Sequence, residues 1–302
     1  MEYTEKKIKG VMPKKYLNKG YALVLEGGGM RGFYSSGVFD AFIDEGLMFP
    51  YIIGVSAGAS NVLSYISGQK GRSRVLIEKY VDDSRYMSYK NMFKLGSFFG
   101  YEYVFKTIPD KHLFWDREIY NKVKTKFYTG TTDINTGETV WFDKDEFNKS
   151  VDPLIASCAL PFMAKPVCYK GYELLDGGIS NPLPIEKAIN DGNKFFVIVL
   201  TRNVGYLKKP FKFKRLLNKY YGKYPKFVEI MLKRHEIYNE QLALCEKLEK
   251  EGRAIIIRPQ KELKISRTSK NIKKPLMLHD EGYEEGKEAI IKLKEVLSNE
   301  KV

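Results

Sequence analysis

The chain reads as an α/β protein whose sheet is parallel and covered by helices, on three observations. An apolar run, Tyr21–Leu25, breaks off at Glu26-Gly27-Gly28-Gly29-Met30-Arg31-Gly32 and gives way to a helical pattern. A second run, Tyr51-Ile52-Ile53, breaks off at Gly54-Val55-Ser56-Ala57-Gly58 and again gives way to small residues with helical character. Buried-type runs recur at Phe195–Leu200 and Ala254–Arg258, between helical stretches. Strand, glycine turn and helix in repetition is the signature of parallel strands, because each crossover must carry the chain back to the start of the sheet.

The elements follow in order. Residues 1–20 are polar and basic and read as a loose lead-in. After Tyr21–Leu25, the residues Phe33, Val38, Phe39, Phe42, Ile43 and Leu47 share one helical face, and that helix ends at Gly46–Pro50. The helix after Ser56 extends to about Gly68. Residues 84–117 are irregular and rich in aromatic residues; an insertion with its own small core is the favoured reading, and an acyl-chain wall or lid the sharper one. Lys126–Thr131 and Thr139–Phe142 alternate like two strands joined at Asn135-Thr136-Gly137, a hairpin signal. Val151–Ala159 is a short apolar helix stopped by Pro161, and Tyr172–Leu175 is a strand that ends at Asp176-Gly177-Gly178. Pro184–Ile189 opens a helix with proline in its first turn. Long helices are expected over about 226–251 and 280–297. No repeat or low-complexity linker interrupts the chain. The expected organisation is a lead-in (1–20), a catalytic core (21–200), and a helical, basic extension (201–302) packed on the same domain.

With 302 residues, 43% apolar and 29% charged, the chain can bury a substantial core. No run has the length of a membrane span, and the charged N-terminus lacks the apolar segment of a secretory signal. Three cysteines without a C-x-x-C give neither a disulfide framework nor a zinc site, so the reducing cytoplasm is the expected location. The net charge is +14, and most of it is local. Residues 202–235 hold eleven Lys/Arg against one acid, Glu229. Anionic partners follow, either lipid headgroups or nucleic acid.

Ser56 lies at a strand-to-helix turn flanked by Gly54 and Gly58, the pattern of a nucleophile elbow. Gly27-x-Gly29-x-x-Gly32 meets the dinucleotide fingerprint, but that reading needs an acid near the end of the next strand, and none follows Glu45 until Glu78. A phosphate-binding P-loop also fails, for want of Gly-Lys-Ser/Thr. Three glycines at a helix start instead suit an oxyanion hole, where bare N–H groups and the helix dipole meet developing negative charge. Arg31 either adds charge for a phosphate or fixes this loop. Of three histidines, none lies at a strand end beside glycines; only His235 or His279 fits the order Ser…Asp…His. Asp176 is the stronger base candidate, since it ends a strand and Gly177-Gly178 allow close approach. A carboxylate with an ordinary pKa of about 4 is a poor base for serine, so this reading needs a dry site and an oxyanion hole.

The ordered set EGGGMRG, GVSAG, ASCALPFM and DGG resembles the patatin-like phospholipase family. The resemblance implies a three-layer α/β/α sandwich and a metal- and cofactor-free acyl hydrolase working with a Ser–Asp dyad. It matches Ser56 to the nucleophile, Asp176 to the catalytic aspartate, and Gly27, Gly28 and Gly29 with Arg31 to the oxyanion motif. Gly32, Gly54, Gly58, Gly177 and Gly178 support those motifs. Residues 156–161 match the small-residue helix and proline upstream of the aspartate. A lipid substrate then favours peripheral binding to an anionic membrane through 202–235 over nucleic acid. The alternative on the same fold is a catalytically idle or regulatory lipid-binding protein.

Overall fold

The computed structural model describes residues 8–262, 265, 268 and 271–299, so the first seven residues of the expected lead-in lie outside it. From residue 8 onward that segment is not loose. Gly10 donates its N–H to Asp116, Val11 donates to the Gly68 carbonyl, and Lys15–Tyr16 forms strand β1. Backbone groups make these contacts, which is why the polar side chains did not signal them.

Along the chain follow β2 (Tyr21–Leu25), a tight helical turn at Gly29–Gly32, α1 (Phe33–Glu45), β3 (Leu47–Met48), β4 (Tyr51–Val55), α2 (Ala57–Ile66) and α3 (Arg72–Tyr80). Next come α4 (Tyr89–Leu95), a π-helical segment (Tyr103–His112), α5 (Arg117–Lys122), β5 (Lys126–Asp133), β6 (Thr139–Asp143), α6 (Glu146–Lys149) and α7 (Asp152–Cys158). The remainder comprises β7 (Val167–Tyr169), β8 (Tyr172–Asp176), α8 (Ile185–Asn190), β9 (Phe195–Val199), α9 (Lys214–Tyr221), α10 (Pro225–Lys250), β10 (Ala254–Ile257) and α11 (Lys273–Asn299).

The main sheet runs β10-β9-β2-β4-β5-β8-β7, with β6 also paired to β5. Strands β10, β9, β2, β4 and β5 are parallel to their neighbours; β6, β8 and β7 join in antiparallel fashion. Alternation along the central strands builds three layers. Leu23, Leu25, Val197 and Val199 pack with residues of α1, α2 and α11 on one face. Ala22, Val24, Phe196 and Ile198 pack with residues of α8 and α10 on the other. The expected α/β/α sandwich is the observed architecture.

Two expectations change. Residues 84–117 do not form a core of their own: Tyr86, Phe98, Tyr103 and Trp115 belong to the cluster that contains β2 and α1. The last helix starts at Lys273 rather than Asp280, because Pro275 fits a first turn and Leu278 is already buried.

Candidate functional site

The register of β5 brings two distant strand ends together. Gly130 pairs with both Val55 of β4 and Trp141 of β6, while Thr131 pairs with both Asp176 of β8 and Val140 of β6. A strand has two edges, and β6 takes one. Strands β4 and β8 therefore share the other edge end to end, since β4 runs parallel to β5 and β8 antiparallel. Val55 and Asp176 finish at adjacent positions of β5, and the next residue after Val55 is Ser56. A Cβ on Gly177 would lie 2.0 Å from the Gly130 carbonyl oxygen, so the turn after Asp176 passes this junction only with glycine there.

Ser56 adopts φ 54 and ψ −130, a strained conformation for a residue with a side chain, costing about 1–3 kcal/mol. The turn holds its hydroxyl toward Asp176: Oγ donates to Asp176 Oδ2 at 2.7 Å, and both residues are buried. The second carboxylate oxygen accepts the Gly178 N–H at 2.7 Å, and the Asp176 carbonyl accepts from Thr132 Oγ1 at 2.9 Å. Asp176 is thus held at four atoms, since its own N–H donates to the Ala159 carbonyl at 2.8 Å.

Ser157 was missed as an individual residue. Its Oγ accepts the Ser56 N–H at 2.8 Å and donates to the Gly130 carbonyl at 2.7 Å, tying the elbow to β5. The position, near the end of the short helix before Asp176, was the available signal. Cys158 follows it, and its thiol is pushed far up, chiefly by burial and further by the charge of Asp176. The Tyr101 phenol, which donates to the Cys158 carbonyl at 2.8 Å, is raised chiefly by burial and further by neighbouring Cys158 and Asp176.

Gly27 lies directly over the serine. A Cβ there would come within 2.8 Å of Ser56 Cβ and 3.1 Å of the Val55 carbonyl oxygen. Gly28 leads into the helical turn that Gly29 opens, Gly32 closes that turn, and Gly54 and Gly58 pack against Leu25. The loop is anchored from behind: buried Glu26 accepts the Thr201 N–H and the Tyr238 hydroxyl at 3.1 Å.

Two cavities meet at Ser56, and Gly29, Ser56 and Leu160 line both. The larger, about 1080 Å³ including its open mouth, is walled by Leu63, Leu76, Tyr86, Phe99, Val104, Phe105 and Trp115. Much of that wall comes from 84–117, whose aromatics thus serve the site as well as the core. The smaller, about 440 Å³, is polar and contains Arg31, Asp176, Arg202, Lys208 and Arg234. Part of the basic segment, read from sequence as a surface patch, therefore faces the site. Arg31 is buried there, and Arg234 Nε donates to the Gly178 carbonyl.

No histidine lines either cavity. His112 stacks on Tyr80, His235 Nδ1 contacts the Leu232 carbonyl at 2.9 Å, and His279 Nε2 is 3.1 Å from Asp40. A Ser…Asp…His triad through His235 or His279 has no geometric support.

Known proteins align with this frame. Residues 23–189 match the family model described as patatin-like phospholipase, and residues 224–298 match a domain of unknown function, DUF6363. An uncharacterized protein of Escherichia coli K12, YjjU, is 30% identical over 200 residues, covering 65% of this chain and 56% of that protein. The lysophospholipase nte1 of Aspergillus terreus is 26% identical over 184 residues, covering 58% of this chain and 11% of its own. The Debaryomyces hansenii NTE1 lysophospholipase is 27% identical over 197 residues, covering 60% and 12%. The chain thus spans about half of YjjU and about a tenth of the lysophospholipases. Among solved structures, VipD from Legionella pneumophila has a TM-score of 0.45 at 13% identity, covering 95% of this chain and 71% of that one. With its model spanning the glycine loop, the serine elbow and the aspartate turn in one stretch, the chain belongs to the patatin-like phospholipase family.

Proposed function

We propose that the protein is a serine acyl hydrolase that cleaves carboxylic ester bonds of lipids through Ser56 and Asp176. One observation carries the reading: the Ser56 hydroxyl donates to a buried carboxylate at 2.7 Å where an apolar cavity opens. The acyl chain lies in that cavity and brings its ester carbonyl to Ser56. Ser56 Oγ attacks the carbonyl carbon while its proton passes to Asp176 Oδ2. The carbonyl oxygen becomes negative and is met by the amides of Gly27–Gly29 at the start of the helical turn. Collapse breaks the ester C–O bond, and the leaving alkoxide takes the proton from Asp176. Water then gives its proton to Asp176 and attacks the acyl-enzyme, and the fatty acid departs as Ser56 recovers its proton. The test is hydrolysis of lysophospholipid and aryl-ester substrates, with fluorophosphonate labelling in parallel. Ser56→Ala is expected to abolish both turnover and labelling. A wild-type protein that is inert in both assays would favour the idle lipid-binding alternative.

A second part of the reading concerns where the substrate is met. Leu207, Phe213, Leu216 and Tyr220 are exposed among the lysines of the basic segment. Phe162, two residues from the shared wall at Leu160, stacks on Phe211 and packs edge-on against Tyr220. Apolar side chains ringed by cations beside the cavities suit an anionic bilayer, each cation near it contributing about 1 kcal/mol. No helix among the described residues is long and apolar enough to cross a membrane. Sedimentation with phosphatidylglycerol vesicles is expected to weaken steeply as salt shortens the screening length toward about 3 Å at 1 M. Equal binding to phosphatidylcholine vesicles at high salt would remove this part.

A further inference from the structure

We infer that the polar cavity beside Ser56 is a headgroup subsite, in which Arg202, Lys208 and Arg234 hold a phosphate attached one glycerol unit from the scissile ester. The inference rests on the hydrolase reading for its meaning, but on the cavity itself for its geometry. Four cations, Arg31, Arg202, Lys208 and Arg234, line this cavity against two carboxylates, Glu26 and Asp176. Both carboxylates also accept hydrogen bonds from the protein. Glu26 Oε2 accepts from Thr201 N and Oγ1, and its Oε1 accepts from Tyr238. Asp176 accepts from Ser56 and Gly178. With four cations to two carboxylates the cavity carries an excess of positive charge beside the serine, and a cleft of one sign concentrates ions of the other.

The cations are also held in place. The Arg202 guanidinium lies 4.1 Å from the centre of the Tyr206 ring, and the Lys208 ammonium 4.9 Å from that of Tyr238. Those two rings pack edge-on at 5.8 Å. The Lys208 backbone is clamped on both sides by Asn239, which accepts its N–H at 2.9 Å and donates to its carbonyl at 3.1 Å. Side chains ordered before binding lose little freedom on binding, and guanidinium with ammonium is the donor set that phosphate oxygens favour. Because Ser56 lines both cavities, one molecule can lay its acyl chain in the apolar cavity and its phosphate in the cationic one, with the ester between them. All three residues lie beyond the matched stretch 23–189. The choice of headgroup is thus assigned to the extension, while the chemistry resides in the glycine loops.

The experiment compares 1-octanoyl-glycerol-3-phosphate with 1-octanoylglycerol, both used as dissolved monomers so that no bilayer contributes. In the Arg202→Gln/Lys208→Gln double variant, the ratio of kcat/KM for the phosphate ester over the neutral ester is expected to fall about tenfold or more, mainly through KM. Arg202→Lys/Lys208→Arg, which keeps both charges, is expected to restore most of the ratio. An unchanged ratio in the double variant overturns the inference. Should the double variant fail to fold, Lys208→Gln alone is read in the same way. Calorimetric binding of both esters to the Ser56→Ala protein provides the arm without turnover. Preference for the phosphate ester, lost in the added double substitution, keeps the subsite even if no ester is hydrolysed; equal binding of both esters rejects it even if hydrolysis is rapid. Inorganic phosphate is the control for a free anion: if it activates neutral-ester hydrolysis, the cavity is an effector site and the headgroup assignment falls.

Discussion

The molecule holds two buried aspartates that each face a partner far away in sequence. Asp176 faces Ser56 at the junction of two cavities, at 2.7 Å. Asp40, on α1, faces His279 of α11 at 3.1 Å and also accepts the Gly71 N–H at 3.0 Å. By residue type the second pair looks more like machinery, since a carboxylate that orients a histidine is half of the familiar triad. Yet neither Asp40 nor His279 lines either of the two cavities at Ser56, and both sit where α1 and α11 pack against each other. What separates a site from a brace here is position rather than composition. Asp176 ends β8 and Ser56 directly follows β4, two strands that meet on one edge of β5 where the two cavities open.

The largest effects test that contrast directly. Asp176→Asn keeps the shape of the side chain but removes its capacity to take a proton, so ester hydrolysis is expected to fall about 10²–10⁴-fold with little change in thermal unfolding. His279→Ala should do the reverse. It takes one partner from a buried carboxylate, which costs about 1–3 kcal/mol of stability, while kcat for a soluble ester stays at the wild-type value. Paired melting curves and steady-state kinetics on the two variants read both limbs at once. A well-folded His279→Ala protein without activity would restore a histidine mechanism and collapse the distinction between the two pairs.

Much of this was legible because glycine is legible. The three glycine turns sit where backbone must approach backbone, and only a residue without Cβ fits: Gly27 over Ser56 and Gly177 against Gly130 are forced by contacts of 2.8 and 2.0 Å. Strands β2, β4 and β9 carry no charged residue and are buried along their whole length, since helices cover both faces, and so they stood out as runs. Other features left no such mark. The N-terminal segment is bound through its backbone, for which sequence carries no symbol. The aromatics of 84–117 serve the core and the cavity wall with the same residue types, so composition could not divide them. Arg202, Lys208 and Arg234 belong to a basic run whose count is visible, but which of its members turn inward depends on how α10 lies across the end of β8. The helix start at Lys273 was hidden by Pro275, which reads as a breaker unless its place in a first turn is known.

The smallest effect expected comes from Ser157, which touches neither cavity but holds the elbow from below. Its hydroxyl is the link between the Ser56 N–H and the Gly130 carbonyl, the residue at which β4 ends on β5. Removing it with Ser157→Ala leaves both groups without that partner in a fully buried place. The strained turn at Ser56 then loses one of the contacts that hold it, and the serine hydroxyl drifts relative to Asp176. A displacement of a full ångström costs on the order of a hundredfold, so a partial one should lower kcat by about tenfold. KM should stay near its wild-type value, because Ser157 lines neither of the cavities proposed to hold the substrate. The rate of fluorophosphonate labelling should fall by the same factor, since it reports the same serine without the rest of the cycle. Loss through KM alone, or loss of stability with kcat intact, would make Ser157 a packing residue like Asp40 and place it on the other side of the comparison.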